Sequence, residues 1–122
     1  MSFQANIKEL AKENNFFRKV IYTGKYSQLV LMSISVEGEI GEETHETIDQ
    51  ILFFVKGNGE AILKGESKPI EKGDVVFVPA GTLHNFKNTS EDDLRLYTVY
   101  SPPHHPDGTI HKTKEEAEAS GY

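Results

Sequence analysis

Short apolar runs, separated by glycine, proline and charged residues, recur along most of the chain. In residues 28–36, Val30, Met32 and Ile34 recur with the period of two that is typical of a β-strand. Comparable runs occupy residues 16–23, 50–55, 60–63, 74–78, 84–87 and 94–100, and Ile70, after a turn region, leads into Glu71, Lys72 and Gly73. About eight short strands, joined by turn-forming residues, predict an antiparallel sandwich or barrel.

The run at residues 50–55 is apolar on both sides. Its even-numbered residues, from Gln50 to Phe54, share one face, and we expect that face to line the barrel. The opposite face then needs an outer cover, and its residues are Ile51, Phe53 and Val55. A short N-terminal helix, predicted from the capping-box spacing of Asn6 and Glu9, supplies that cover together with the first strand, or a second subunit does. We expect a homodimer.

The C-terminal part of the chain has a different pattern. Consecutive prolines after residue 101 exclude a helix and a central strand there, so we predict an irregular tail over 102–122. Residues 112–119 favour a helix by composition but have no apolar stripe, and we expect them to be solvated or frayed. Residues 1–122 are predicted to form one domain, with a barrel core over about 16–101.

Composition and charge narrow the classes of function. The chain has 19 acidic and 13 basic residues and a formal net charge of −6, which disfavours nucleic acid and anionic membranes as partners because both attract basic patches. It has no cysteine, so disulfides, thiolate metal sites and cysteine nucleophiles are excluded. Because neither a signal peptide nor a long apolar span is recognisable, we predict a soluble, cytoplasmic protein. No phosphate loop or nucleophile elbow is present.

Three residues in two stretches are candidates for chemistry. His84 follows a turn that contains Pro79 and Gly81 and leads directly into a strand, so rigid backbone holds this histidine on both sides. Glu43 and His45 are two residues apart and project to the same side of an extended chain. A carboxylate and an imidazole on one face are suitable ligands for a divalent metal ion.

Gln50 is a fourth candidate, because it begins the apolar run at residues 50–55. A buried amide there needs a partner, and its carbonyl oxygen is a suitable metal ligand. The alternative interpretation is a solvated acidic turn, since Glu42, Glu46 and Asp49 lie close by in the sequence. These residues alone leave both interpretations open.

The two stretches resemble the two motifs of the cupin superfamily. The second motif, G-x5-P-x-G-x2-H-x3-N, is matched at each of its positions, which here are Gly73, Pro79, Gly81, His84 and Asn88. The first motif, G-x5-H-x-H-x(3,4)-E-x6-G, is matched only in part. The likeness in strand spacing extends over about 16–101.

In the first motif, His45 occupies the second histidine position and Gly57 the last glycine position. Glu43 stands in place of the first histidine, Gln50 stands in place of the acidic residue, and Gly38 lies one residue from the first glycine. Both replacements keep a donor oxygen, so the site is a variant of the family pattern rather than an abolished one.

The resemblance implies an all-β, jelly-roll barrel that is commonly dimeric and holds one divalent transition metal ion, namely Fe, Mn, Ni or Zn. The implied ligands are Glu43, His45, Gln50 and His84. It also implies a small polar organic substrate, such as a sugar or carbonyl compound, and a dioxygenase or isomerase type of reaction. A non-catalytic small-ligand-binding cupin and a purely structural barrel are the alternatives.

Three further histidines, His104, His105 and His111, lie after the last predicted strand. They form a second, exposed metal cluster, or else His104 or His105 folds over the barrel mouth as an acid–base group. The sequence does not decide between these arrangements.

Two expectations concern the core. Phe77 and Phe86 are predicted to be buried. On the predicted strand at residues 94–100, alternate residues form two sets that point to opposite faces, and the sequence does not show which set lines the barrel. The two sets are Arg95 with Tyr97, and Leu94 with Leu96 and Thr98.

Overall fold

The computed structural model describes residues 2–121. In chain order its elements are α1 (Ile7–Glu13), β1 (Arg18–Thr23), β2 (Gln28–Ile34), β3 (Asp49–Lys56), β4 (Asn58–Leu63), β5 (Glu66–Glu71), β6 (Val75–Val78), β7 (His84–Asn88), β8 (Leu94–Ser101), β9 (Ile110–His111) and α2 (Lys114–Ser120). One sheet has the order β6-β3-β8-β2-β1-β9, and the other has the order β5-β4-β7. All of these pairings are antiparallel, so the predicted antiparallel all-β fold with a short N-terminal helix is confirmed.

The barrel interior is filled by alternate residues of its strands. On β8, Leu94, Leu96 and Thr98 are each 0% exposed, whereas Arg95 and Tyr97 are only partly buried. The apolar set therefore lines the barrel, which decides the alternative that the sequence left open. On β3 the same alternation buries the inward-facing residues, which are Gln50, Leu52 and Phe54.

The outer face of the larger sheet is covered in part by α1, which packs against β8, β2 and β3. Arg95 fastens this helix to the sheet, since its guanidinium donates to the backbone carbonyl of Lys12 and, at 2.6 Å, to Oδ1 of Asn15. The Phe53 ring stacks on the Tyr97 ring with centroids 4.7 Å apart. The N-terminal helix thus supplies some of the cover that the doubly apolar β3 requires.

The edge strand β6 lies beyond this cover. Val75 is 57% exposed and Phe77 is 53% exposed, while Val78 points inward and is buried. The prediction that Phe77 belongs to the core is therefore wrong, whereas Phe86, at 0% exposed, is buried as predicted. The expected homodimer stays a prediction.

The prediction of an irregular tail over 102–122 is wrong for much of that segment. β9 pairs with β1, and α2 begins with a full capping box: Oγ1 of Thr113 accepts from the Glu116 N–H, and the Glu116 carboxylate accepts from the Thr113 N–H, both at 3.2 Å. Ala117 is buried in the core cluster. A single small anchor of this kind leaves no apolar stripe in the sequence. Tyr122 lies outside the described residues.

Within residues 2–121, no helix has the length and apolar character that crossing a membrane requires.

Asn88, the last residue of the second motif, connects three chain segments. Its Nδ2 donates to the carbonyls of Ile34 and Asp92, each at 2.9 Å, and its Oδ1 accepts from the Ser90 N–H at 2.9 Å. The side chain is only 5% exposed. This asparagine is therefore a structural residue, which explains its place in the motif without a role in metal binding.

We predict that Asn88→Ala lowers the free energy of unfolding by about 1–3 kcal/mol, because buried carbonyls lose their hydrogen-bond donor. Urea denaturation measures the change, and Asn58→Ala, at an exposed position at the start of β4, is the control. The metal content of the folded Asn88→Ala protein should equal that of the parent. An unchanged stability would show that these hydrogen bonds contribute nothing.

Candidate metal centre

Two of the predicted ligands face each other across an isolated antiparallel bridge. The N–H of Glu43 donates to the carbonyl of His84 at 3.0 Å, and the N–H of His84 donates to the carbonyl of Glu43 at 3.0 Å. Directly opposed residues of such a pair carry their side chains on the same face. The backbone alone therefore brings together two residues that are far apart in sequence.

The turn before β7 ties the two motif stretches together. Gly81 has φ +83°, a conformation that side chains disfavour, and its N–H donates to the carbonyl of His45 at 2.8 Å. The preceding N–H, of Ala80, donates to Oδ1 of Asp49 at 2.9 Å. The second motif thus contacts the first at His45, which is a predicted ligand, and at Asp49, which precedes the predicted ligand Gln50.

Glu43, His45 and His84 form a compact cluster. One ligand atom from each lies within 4.8 Å of the others. Oε1 of Glu43 is 3.6 Å from Nε2 of His45 and 3.9 Å from Nε2 of His84. Both histidines are largely buried, at 9% and 2% exposed. Such separations suit a single ion that is bound to all three residues.

The atoms best suited to bind a metal have no hydrogen-bond partner within residues 2–121: Nε2 of His45, Nε2 of His84 and Oε1 of Gln50. Nδ1 of His84 donates to the carbonyl of Thr82 at 2.9 Å, which leaves Nε2 as the lone-pair nitrogen. Nε2 of Gln50 donates to Oγ1 of Thr98 at 3.1 Å, so its carbonyl oxygen is the atom left without a partner. Buried polar atoms without partners are costly, and a metal ion at the cluster of Glu43, His45 and His84 would satisfy the two histidine nitrogens.

The electrostatic surroundings favour the metal-binding protonation states. Burial raises the pKa of Glu43, but the nearby His45, His84 and Arg18 outweigh burial and hold that pKa below its usual value. Burial lowers the pKa of His84 more than the Thr82 carbonyl and Glu43 raise it. Near pH 7, Glu43 is therefore ionised and His84 is neutral, which are the forms that coordinate a cation.

The segment after β8 brings another histidine beside the cluster. The His104 ring lies 4.6 Å from the His45 ring and 5.6 Å from the Tyr100 ring. Gln28 holds this segment, since its Oε1 accepts from the N–H groups of His104 and His105, at 3.2 and 3.0 Å, and its Nε2 donates to the His105 carbonyl at 2.7 Å. His104 and His105 therefore lie at the barrel mouth. Sequence reasoning missed Gln28, whose only signal was a polar residue opening a strand.

Arg18 is the second residue that sequence reasoning missed. It is 4% exposed, and its Nη1 lies 3.3 Å from Nδ1 of His111. Burial and the charge of Arg18 lower the pKa of His111 and lower that of His105 to about 3. Burial raises the pKa of Tyr100 to about 12. Near pH 7, the Tyr100 phenol and the imidazoles of His105 and His111 are therefore neutral.

The buried His105 predicts a specific dependence of stability on pH. Its pKa is lowered to about 3 in the folded protein, against an ordinary value of 6.5, so the unfolded chain binds more protons between these values. The stabilising contribution is then fully present above about pH 6.5 and is lost progressively as the pH falls toward about 3. We predict that His105→Leu loses less stability than the parent between about pH 7.5 and pH 5.

Urea denaturation of both metal-free proteins across that pH range provides the measurement. The difference in free energy of unfolding between the two proteins at about pH 7.5 measures the effect of the substitution on packing, and it is subtracted at the other pH values. Equal losses of stability on acidification would contradict a neutral, buried His105.

The barrel and the cluster at its mouth define a small β-barrel protein with a candidate metal centre. The family model described as "Cupin domain" matches residues 30–100, a range that includes Glu43, His45, Gln50 and His84. The chain belongs to the cupin family.

Relatives and solved structures agree with this assignment. The uncharacterized protein YrkC of Bacillus subtilis is 41% identical over 97% of this chain and 67% of its own length. The crystal structure of BH2720 from Bacillus halodurans is 38% identical, covers 98% of this chain and 95% of its own, and superposes with a TM-score of 0.96. KdgF from a Halomonas species is 25% identical, covers 71% of this chain and 80% of its own, and has a TM-score of 0.67.

Proposed function

We propose that this cupin holds one divalent transition metal ion through Glu43, His45, Gln50 and His84. The observation that carries the proposal is the set of buried, unpartnered atoms on the last three of these residues, next to the Glu43 carboxylate. Two imidazole nitrogens with two oxygens are a donor set that suits Fe, Mn, Ni or Zn.

We further propose that the protein is an enzyme of the dioxygenase or isomerase type that acts on a small polar organic molecule. A bound divalent ion would supply Lewis-acid or oxygen-activating chemistry at this centre. Tyr100, which stays protonated near pH 7, and His104 would orient the substrate beside the ligands. The similarity to a predicted oxalate decarboxylase of Thermotoga maritima, which is 28% identical with a TM-score of 0.61, supports an enzymatic role.

We predict that protein purified without a histidine tag, and loaded with Zn²⁺ or Mn²⁺, binds one equivalent of metal. His84→Ala should lower the affinity by more than the roughly 10–100-fold that changes outside the coordination sphere cause. Gln50→Ala should weaken binding in the same direction. Elemental analysis after dialysis and competition with a chelator measure these changes, and His111→Ala, a histidine outside the proposed ligand set, is the control.

Absence of metal under every loading condition would overturn the ligand assignment and the enzymatic proposal together. With metal bound, a dioxygen electrode and proton NMR of small carbonyl substrates distinguish oxygenation from isomerisation. Binding of such molecules without any turnover would favour the non-catalytic ligand-binding cupin instead.

A further inference from the structure

A cavity of about 210 Å³ lies between the barrel and α2. One wall is formed by Arg18 at the start of β1, and another by Ile40 and Glu43. The third wall is α2, which contributes Lys114 and Ala117. The metal-ligating Glu43 is thus shared between the proposed metal centre and this cavity.

Arg18 lies at an inward-facing position of β1, where an apolar residue is expected. On β1, Arg18 and Val20 are buried at 4% and 6% exposed, while Lys19 between them is only partly buried. Burying a guanidinium costs several kcal/mol of desolvation in general, and an apolar side chain of similar size would avoid that cost. Departures of this kind from the inward apolar pattern concentrate at functional sites.

The guanidinium is held firmly in the cavity wall. Its Nη1 contacts Nδ1 of His111 at 3.3 Å, and its central carbon lies 5.2 Å from the centroid of the Phe17 ring. His111 in turn contacts Oγ of Ser120 at the end of α2, at 3.1 Å. The position of the positive charge is therefore set by β9 and α2 together.

Charge in the cavity favours an anion once a metal is bound. Its charged lining consists of two basic and two acidic side chains: Arg18, Lys114, Glu43 and Glu118. A divalent cation held by Glu43 would leave this lining with an excess of positive charge. Lys114 reaches toward the barrel, because its Nζ lies 3.9 Å from the point where a Cβ on Gly41 would stand.

We propose that this cavity binds the carboxylate of a small organic acid, with Arg18 as the charge partner and Lys114 as the second basic residue of the lining. The planar guanidinium matches the two oxygens of a carboxylate, and the volume suits acids of a few carbon atoms. The proposal rests on the metal centre proposed above and deepens it, since it names an organic acid, rather than an uncharged sugar, as the substrate class.

The test uses the full-length, Zn²⁺-loaded protein and isothermal titration calorimetry. Pyruvate is the probe, and methyl pyruvate, its uncharged ester, is the matched ligand control. The variants are Arg18→Met in the cavity and Lys19→Met on the same strand but the opposite face. We expect pyruvate to bind at least about tenfold more tightly than methyl pyruvate, Arg18→Met to lose about 10–100-fold in affinity for pyruvate, and Lys19→Met to bind as the parent does.

The metal content and thermal unfolding of each variant are measured first. If Arg18→Met does not fold or does not retain zinc, Lys114→Met is the deciding variant, and its affinity for pyruvate should fall by about two- to tenfold. Equal pyruvate affinity in the parent and the deciding variant would overturn the inference. So would equal binding of pyruvate and its ester, or no pyruvate binding by zinc-loaded parent protein. A parent protein that binds no zinc contradicts the metal centre itself, so the two failures are distinguishable.

Discussion

The paired backbone hydrogen bonds between Glu43 and His84 are the constraint on which the candidate centre depends. They lie at the end of a longer contact, because the Ile40 N–H donates to the Phe86 carbonyl at 3.0 Å and the Gly41 N–H donates to Oδ1 of Asn85 at 2.9 Å. The connection from β2 to β3 therefore runs along the otherwise open edge of β7, the last strand of the smaller sheet. The side chains of the first motif reach those of the second because the connection pairs with this edge of β7.

The motif residues divide into two kinds. His84 presents a lone-pair nitrogen because the Thr82 carbonyl holds its other nitrogen, whereas Gly81 and Asn88 contribute only backbone geometry and hydrogen bonds. The variant residues of the first motif also offer donor atoms: Glu43 has a carboxylate where the family pattern has a histidine, and Gln50 has an amide oxygen where the pattern has an acidic residue. In this chain the departures from the family pattern therefore fall on donor atoms, whereas the turn residues of the second motif match it.

The strands, the short helix and the convergence of Glu43, His45 and His84 could be predicted, because alternation and turn residues are local signals and the second motif is specific. Arg18 could not, since nothing local shows which face of a first strand points inward. Phe77 was wrongly assigned to the core because every residue of β6 is apolar. The sequence of this strand therefore does not show which of its two faces points into the barrel. A helix near α2 was expected from composition, but its docking was not, because one buried alanine, Ala117, anchors it through tertiary packing rather than through an amphipathic stripe.

The docking of β9 and α2 against the barrel adds a wall to the cavity, and this wall comes from a part of the chain that contains none of the proposed ligands. The proposed ligands all lie between residues 43 and 84, whereas the cavity beside them is completed by α2 with Gly121 and by Phe17 and Arg18, where β1 begins. Substitutions in the wall can therefore alter the shape and charge that an incoming molecule meets while the coordinating atoms keep their places. A barrel built in this way can exchange one ligand for another without rebuilding its centre.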